Sequence, residues 1–124
     1  MTRHIPLNFE WRLPSLIATG GKPSHPQQLD WLEKQNILAI ISLEPIPDEI
    51  RELISEDCLS WLEIDLDQYG SDEEFDVNRL PPGVWQKFKD FIDQSLFLER
   101  PVYVHCIAGI SRSVKMVRRY LQTV

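Results

Sequence analysis

Cysteine is scarce in this 124-residue chain, which carries only Cys58 and Cys106. Two thiols are too few for a disulfide scaffold, and a thiol left free points to a reducing compartment such as the cytoplasm. Long hydrophobic runs are missing as well: none approaches the roughly eighteen residues of a membrane span, and no basic-then-apolar leader opens the chain. Positive charge is in deficit, with 13 Lys and Arg against 19 Asp and Glu and a net charge of −6. That balance argues against nucleic acid as a general partner, because binding to its backbone is driven by Lys and Arg. Internal repeats, low-complexity tracts and a zinc-like spacing of Cys and His are absent too. Any affinity for an anion must therefore be local.

What remains is an ordinary globular composition, 43% hydrophobic and 26% charged, in a length suited to one domain over residues 1–124. Short and long apolar periods alternate along it. Ser15–Thr19 reads as a first strand, with Gly20-Gly21-Lys22-Pro23 as a turn. Pro26–Gln35 follows as an amphipathic helix that Ser24 or His25 caps. Ile37–Leu43 is apolar enough for a strand buried on both faces. Pro47 begins a helix that reaches about Ser55. Leu59–Leu66, Pro82–Leu98 and Pro101–His105 then read as strand, helix and strand. This order predicts an α/β fold with a parallel or mostly parallel sheet of four to five strands flanked by helices. The loop after the last strand falls at the carboxyl edge of the sheet, where open α/β folds bind ligands. The four tryptophans, Trp11, Trp31, Trp61 and Trp85, read as core or edge packing.

That last loop is the run His105-Cys106-Ile107-Ala108-Gly109-Ile110-Ser111-Arg112-Ser113. A strand breaking into small residues and then a helix turns successive amide N–H groups toward one concavity, which suits a tetrahedral oxyanion. Each residue type meets a need. A helix N-terminus, amides and a neighbouring guanidinium favour a thiolate, which makes Cys106 the candidate nucleophile. Gly109 supplies backbone freedom, and Ala108 and Ser111 keep the loop narrow. Arg112 can grip two phosphate oxygens at once. Ser113 offers a hydroxyl to the sulfur, and His105 orders the loop, because a thiolate needs no base. Ile107, Ala108, Gly109, Ile110 and Ser111 are the candidate substrate-binding positions, together with Arg112.

His105 to Ser113 resembles the signature of cysteine-dependent protein tyrosine phosphatases, and Ala-Gly-Ile-Ser-Arg-Ser resembles the dual-specificity branch. Asn8-Phe9-Glu10-Trp11-Arg12-Leu13-Pro14 is similar to the opening segment of small atypical members, and Phe88–Gln94 to the helix before the nucleophile strand. The resemblance implies a metal-free, cofactor-free hydrolysis of a phosphorylated protein or peptide in two steps. Cys106 attacks phosphorus, Arg112 holds the phosphoryl group, an aspartic acid protonates the leaving oxygen, and water cleaves the thiophosphate. Asp65, Asp67, Asp72 and Asp76 all fall in the stretch where that acid lies in the family. Asp67 is the choice because it follows the strand most directly, with Gln68-Tyr69-Gly70 resembling the start of the family's mobile loop. Asp72, Asp76 or Gln68 in the acid's place are the alternatives, and Asp72-Glu73-Glu74 reads as a solvated acidic run.

The family continues for several helical turns past the cysteine helix, whereas this sequence stops at Val124. Val114, Val117, Leu121 and Val124 form one face of the last helix, and Lys115, Arg118, Arg119 and Gln122 a solvated one. The chain is then either a minimal phosphatase or a fragment whose helix awaits a partner or segment. Ile107, Ala108, Ile110 and Ser111 stand where relatives that take inositol phospholipids tend to carry Lys, so the resemblance disfavours polyanionic lipids and leaves phosphotyrosine as the leading substrate, with phosphoserine or phosphothreonine beside it. Two other classes remain open: a phosphate-binding pseudophosphatase without turnover, and a sulfur-transfer or arsenate-reducing enzyme. Cys58 reads as a buried strand-edge residue rather than a redox partner of Cys106.

Overall fold

Pro26 and Pro82 each occupy the first turn of a helix, and Pro47 directly precedes another. At those positions a fixed φ helps and a missing N–H costs nothing. Between these helices lie strands of four residues. The computed structural model describes residues 4–123. In chain order the elements are β1 (Glu10–Leu13), β2 (Ile17–Gly20), α1 (Pro26–Lys34), β3 (Ala39–Ser42), α2 (Asp48–Glu56), β4 (Ser60–Glu63), α3 (Pro82–Phe97), β5 (Val102–His105) and α4 (Arg112–Thr123). Short 3-10 turns at Leu66–Tyr69 and Val77–Arg79 punctuate the segment between β4 and α3.

The sheet runs β1-β2-β5-β3-β4, and only β1 is antiparallel to its neighbour. Strand β5 sits in the centre with β2 and β3 on its two sides, and β2, β3 and β5 are buried throughout. Side chains of successive strand residues point to opposite faces. Ala39, Ile41, Val102 and Val104 therefore meet α3 and α4 through Phe88, Ile92, Met116, Val117 and Tyr120. On the other face Ile40 packs against Leu29, Ile50 and Ile54 of α1 and α2, and Tyr103 against Leu32. This is the expected α/β order with one addition. The segment Glu10–Leu13, read only as an opening stretch, is a fifth strand that turns back on β2 through Ser15, whose φ is +64°. The other strands are shorter than their apolar runs, because ladder pairing ends where the connections begin.

The last helix corrects the sequence reading. Its buried positions are Ser113, Met116, Val117 and Tyr120, with Arg112, whereas Val114 and Leu121 are only half-buried; Val124 lies outside the described residues. The buried stripe is set by contact with β2 and β5, so it is rotated from the valine face toward Met116 and Tyr120. The Tyr120 hydroxyl donates to Asp93 Oδ1 at 2.5 Å, and Lys89 Nζ lies 2.6 Å from Asp93 Oδ2, which locks α4 to α3. The basic face is not simply solvated either. Arg119 donates to the Val77 carbonyl at 2.8 Å and lies 4.0 Å over the Trp85 ring. Lys115 Nζ reaches the Phe75 carbonyl at 3.4 Å. The segment after β4 thus covers part of α4. Truncating Met116 to Ala is expected to cost about 2–5 kcal/mol and Val114 to Ala under about 1 kcal/mol in urea unfolding; equal losses would contradict this rotation.

Candidate active site

Strand β5 ends at His105, paired with Gly20 on one side and Ser42 on the other. The Cys106 N–H then donates to the Gly20 carbonyl at 3.3 Å. Among the described residues, the amides of Ile107 to Ser111 donate to no protein acceptor, so five successive N–H groups remain available. The curl that permits this depends on Gly109, whose φ is +75° and where an added Cβ would lie 2.5 Å from Gly21 N. Gly109 therefore packs on the Gly20-Gly21 backbone behind the loop rather than lining the cavity in front of it. Other bonds brace the same loop. Asn8 Nδ2 donates to the Ala108 carbonyl at 2.7 Å, Lys22 N–H to the Ile107 carbonyl at 3.1 Å, and the Tyr103 hydroxyl to the Gly21 carbonyl at 2.5 Å.

In front of the loop is a cavity of about 360 Å³ lined by Cys106, Ile107, Ala108, Ile110, Ser111 and Arg112, and by Asp67, Ser71 and Asp72 from the segment after β4. The Cys106 Sγ lies 3.3 Å from Ser113 Oγ, and both residues are buried. Arg112 is 6% exposed and reaches across to the facing segment. It pairs with Asp67 through Nη1 and donates through Nη2 to the Gly70 carbonyl at 2.9 Å. Its Nε sits 2.8 Å from Asp72 Oδ1 as a charge contact without hydrogen-bond alignment. Burial works against its positive charge and the two carboxylates outweigh it, so its pKa is raised.

Sequence models of known families do not match the chain, and neither do curated protein sequences. Solved structures do. The human tyrosine phosphatase-like serine/threonine/tyrosine-interacting protein superposes with a TM-score of 0.66 at 25% identity, over 94% of this chain and 73% of its own. PTPMT1 gives 0.66 at 23% identity, over 91% and 70%. The core catalytic domain of the PP-IP phosphatase SIW14 from S. cerevisiae, solved with citrate, gives 0.68 at 17% identity, over 97% and 69%. The chain therefore shares the fold of the cysteine-dependent, dual-specificity-like tyrosine phosphatases.

The phosphatase fold sorts the four candidate aspartates. Asp65 accepts from the Asp67 N–H at 3.0 Å, and Asp76 from the Asn78 N–H at 2.9 Å, so both are used in capping 3-10 turns. Asp67 and Asp72 alone line the cavity. The run Asp72-Glu73-Glu74 is exposed as expected, but Asp72 also lines the cavity and contacts the buried guanidinium, while Glu74 accepts from the Ser71 hydroxyl at 2.9 Å. Gln68 points elsewhere, donating to the Asp65 carbonyl at 3.0 Å.

Behind the loop lie groups that sequence reasoning missed. Ser42 Oγ meets His105 Nε2 at 2.6 Å and accepts from Trp61 Nε1 at 2.9 Å. The Trp61 indole takes one of the two acceptor positions of the hydroxyl, so the Ser42–His105 bond forms with either imidazole tautomer. His105 therefore anchors the strand end to β3 and β4. Its burial, and secondarily the charge of Lys22, push its pKa down to about 3, against a hydrogen bond with the Cys106 backbone. Glu44, 4% exposed, follows β3 and has one carboxylate oxygen without a partner. Burial raises its pKa first, Asp67 and Asp72 add to that, and Lys22 and Arg112 oppose it. The only sequence signal for Ser42 and Glu44 was their place at the carboxyl end of an apolar strand.

Cys58 is exposed, not buried, because it takes the left-handed position after α2 with φ +57°. It precedes β4 while Cys106 follows β5, at opposite ends of a parallel sheet. Four residues of strand put about 13 Å between those ends, more than the 4.4–6.8 Å Cα separation that a disulfide requires.

Because the imidazole of His105 titrates near 3 in the fold and near 6.5 when exposed, the unfolded chain takes up its proton first on acidification. That contribution to stability is complete above pH about 6.5 and declines toward pH 3 at about 1.4 kcal/mol per pH unit. His105→Asn is expected to flatten the plot of unfolding free energy against pH between 6 and 4 relative to wild type. Parallel plots would mean that the folded state admits a charged imidazole.

Proposed function

We propose that this chain hydrolyses phosphoester bonds in phosphorylated proteins, phosphotyrosine first and phosphoserine or phosphothreonine where the open cavity admits them. The reading rests on one observation: a cavity that joins a cysteine sulfur, a buried guanidinium and five amides with no protein acceptor. In the first step the Cys106 sulfur attacks phosphorus, the bond to the leaving oxygen breaks, and Asp67, released from Arg112 by the incoming phosphoryl group and protonated, supplies the proton that oxygen needs. Arg112 and the amides hold the three equatorial oxygens as they gain charge. In the second step water attacks phosphorus and passes its proton to the Asp67 carboxylate, the S–P bond breaks, and the Ser113 hydroxyl, 3.3 Å from the sulfur, stabilises the departing thiolate. Asp67 is better anchored for its role than Asp72, because it follows Leu66, which is fully buried, and donates its N–H to the Asp65 cap.

Among the described residues no helix is long and apolar enough to cross a membrane. Free thiols at both cysteines suit a reducing compartment, and the cytoplasm is proposed on that ground. Binding without turnover is the second reading. The pairing of Asp67 with Arg112 favours it, because a carboxylate held by a guanidinium has no proton to give a leaving group.

Release of phosphate from an aryl phosphate without added metal decides between them. Wild type is expected to turn over and Cys106→Ser to lose activity by several orders of magnitude while still binding vanadate or tungstate; anion binding by wild type with no turnover would establish the binding module. Asp67→Asn should lower kcat about 10²–10⁴-fold on tyrosyl or alkyl phosphates and far less on an activated aryl phosphate. Equal losses on both would remove Asp67 as the acid.

A further inference from the structure

The kind of phosphoester this cavity selects follows from what Arg112 holds before any ligand arrives, given that the cavity is a phosphoryl site as proposed above. Asp67, Asp72 and the Gly70 carbonyl together take its Nη1, Nε and Nη2 edges. A guanidinium offers a fixed fork of donors, so a phosphoryl group gains Arg112 only by displacing one of them.

Asp72 is the one that yields most easily. Its side chain is 65% exposed, its contact with Nε lacks hydrogen-bond alignment, and it has no other hydrogen bond or ion pair among the described residues. Asp67, at 58% little less exposed, holds Nη1 through a hydrogen bond and gives it up only on taking the proton it delivers as the acid. Once displaced, Asp72 stands at the rim next to exposed Glu73, facing a doubly charged phosphoryl group inside. Unscreened, that arrangement is repulsive, and neighbouring cations are already engaged: Lys115 reaches the Phe75 carbonyl and Arg119 the Val77 carbonyl. The opposite wall offers only the apolar side chains of Ile107 and Ile110, 65% and 67% exposed. Lys22 braces Ile107 through its backbone but does not line the cavity, so on the Asp72 side the compensating charge has to come with the substrate.

We propose that Asp72 is a specificity-determining residue that exchanges Arg112 for a cation carried by the substrate. The preferred substrate is then a phosphorylated peptide with Lys or Arg beside the phosphoresidue and an apolar side chain against Ile107 and Ile110. Phosphoesters bearing several negative charges are poor ligands for the same reason.

The test compares two phosphotyrosine peptides of equal length, one with lysines and one with glutamates on either side of the phosphotyrosine. Wild type is expected to favour the lysine peptide about tenfold in kcat/KM at low salt, the order of effect that charge complementarity produces, and less in high salt. Asp72→Asn should reduce that ratio to about two- or threefold and lower KM for an aryl phosphate whose ring carries no further charge, since the resident competitor is gone. In Cys106→Ser, the dissociation constants of the two peptides should differ in the same sense. Equal kcat/KM for the two peptides, or a ratio that Asp72→Asn leaves intact, overturns the exchange while leaving the phosphatase reading in place. A wild type that hydrolyses no peptide and no aryl phosphate, with a Cys106→Ser form that binds neither, overturns both.

Discussion

A backbone paired on both sides up to His105, whose N–H donors then find no protein acceptor from Ile107 to Ser111 among the described residues, is the condition on which this molecule's chemistry rests. The first half of that condition is a parallel ladder on both sides of β5, which leaves the central strand no freedom of register. The second half is steric. The chain can turn away from the ladder only because Gly109 backs onto Gly20 and Gly21, where a Cβ on Gly109 would collide with their backbone and one on Gly20 with the Tyr103 ring and hydroxyl. Unpaired amides are costly in a buried setting; here they open on a cavity, where solvent or an anion completes them. The loop is thus held from behind by protein and left incomplete in front.

Electrostatics then divides along the same surface. Behind the loop, His105 is kept neutral by burial, and Ser42 and Trp61 satisfy the hydroxyl-to-imidazole contact. In front, Arg112 keeps its charge despite burial because carboxylates from another segment meet it. That segment is itself supported from α4, through Lys115 on the Phe75 carbonyl and Arg119 on Val77 and Trp85. The helix that opens with Arg112 therefore also carries the contacts that place Asp67 and Asp72 opposite it, and the site closes as one mechanical unit.

Much of this was legible in the chain itself, for physical reasons that differ by region. The alternation of apolar runs with proline-led amphipathic stretches gives the βαβ order, because burial on both faces and a proline at a helix start leave few alternatives. The loop from His105 to Ser113 was legible because its residue types are individually unremarkable and jointly restrictive. Strand β1 was not, since Glu10-Trp11-Arg12-Leu13 is an edge strand whose pairing depends on a turn at Ser15 rather than on its own pattern. The face of α4 was misread because valines mark an apolar stripe, whereas burial follows the position of the sheet, which favours Met116 and Tyr120. Asp72 was hidden for a related reason: an acid in a run of acids looks solvated until a guanidinium from a residue 40 positions away reaches it. Ser42 and Glu44 carry no local signal, and only tertiary packing gives them meaning.

The placement of the two thiols at opposite ends of the sheet has a consequence for survival under oxidative stress. A sulfenic acid formed at Cys106 has no resolving thiol of its own chain within reach. Its rescue falls to glutathione-like small molecules or to attack by a neighbouring backbone nitrogen, and without them the sulfur proceeds to the irreversible acids.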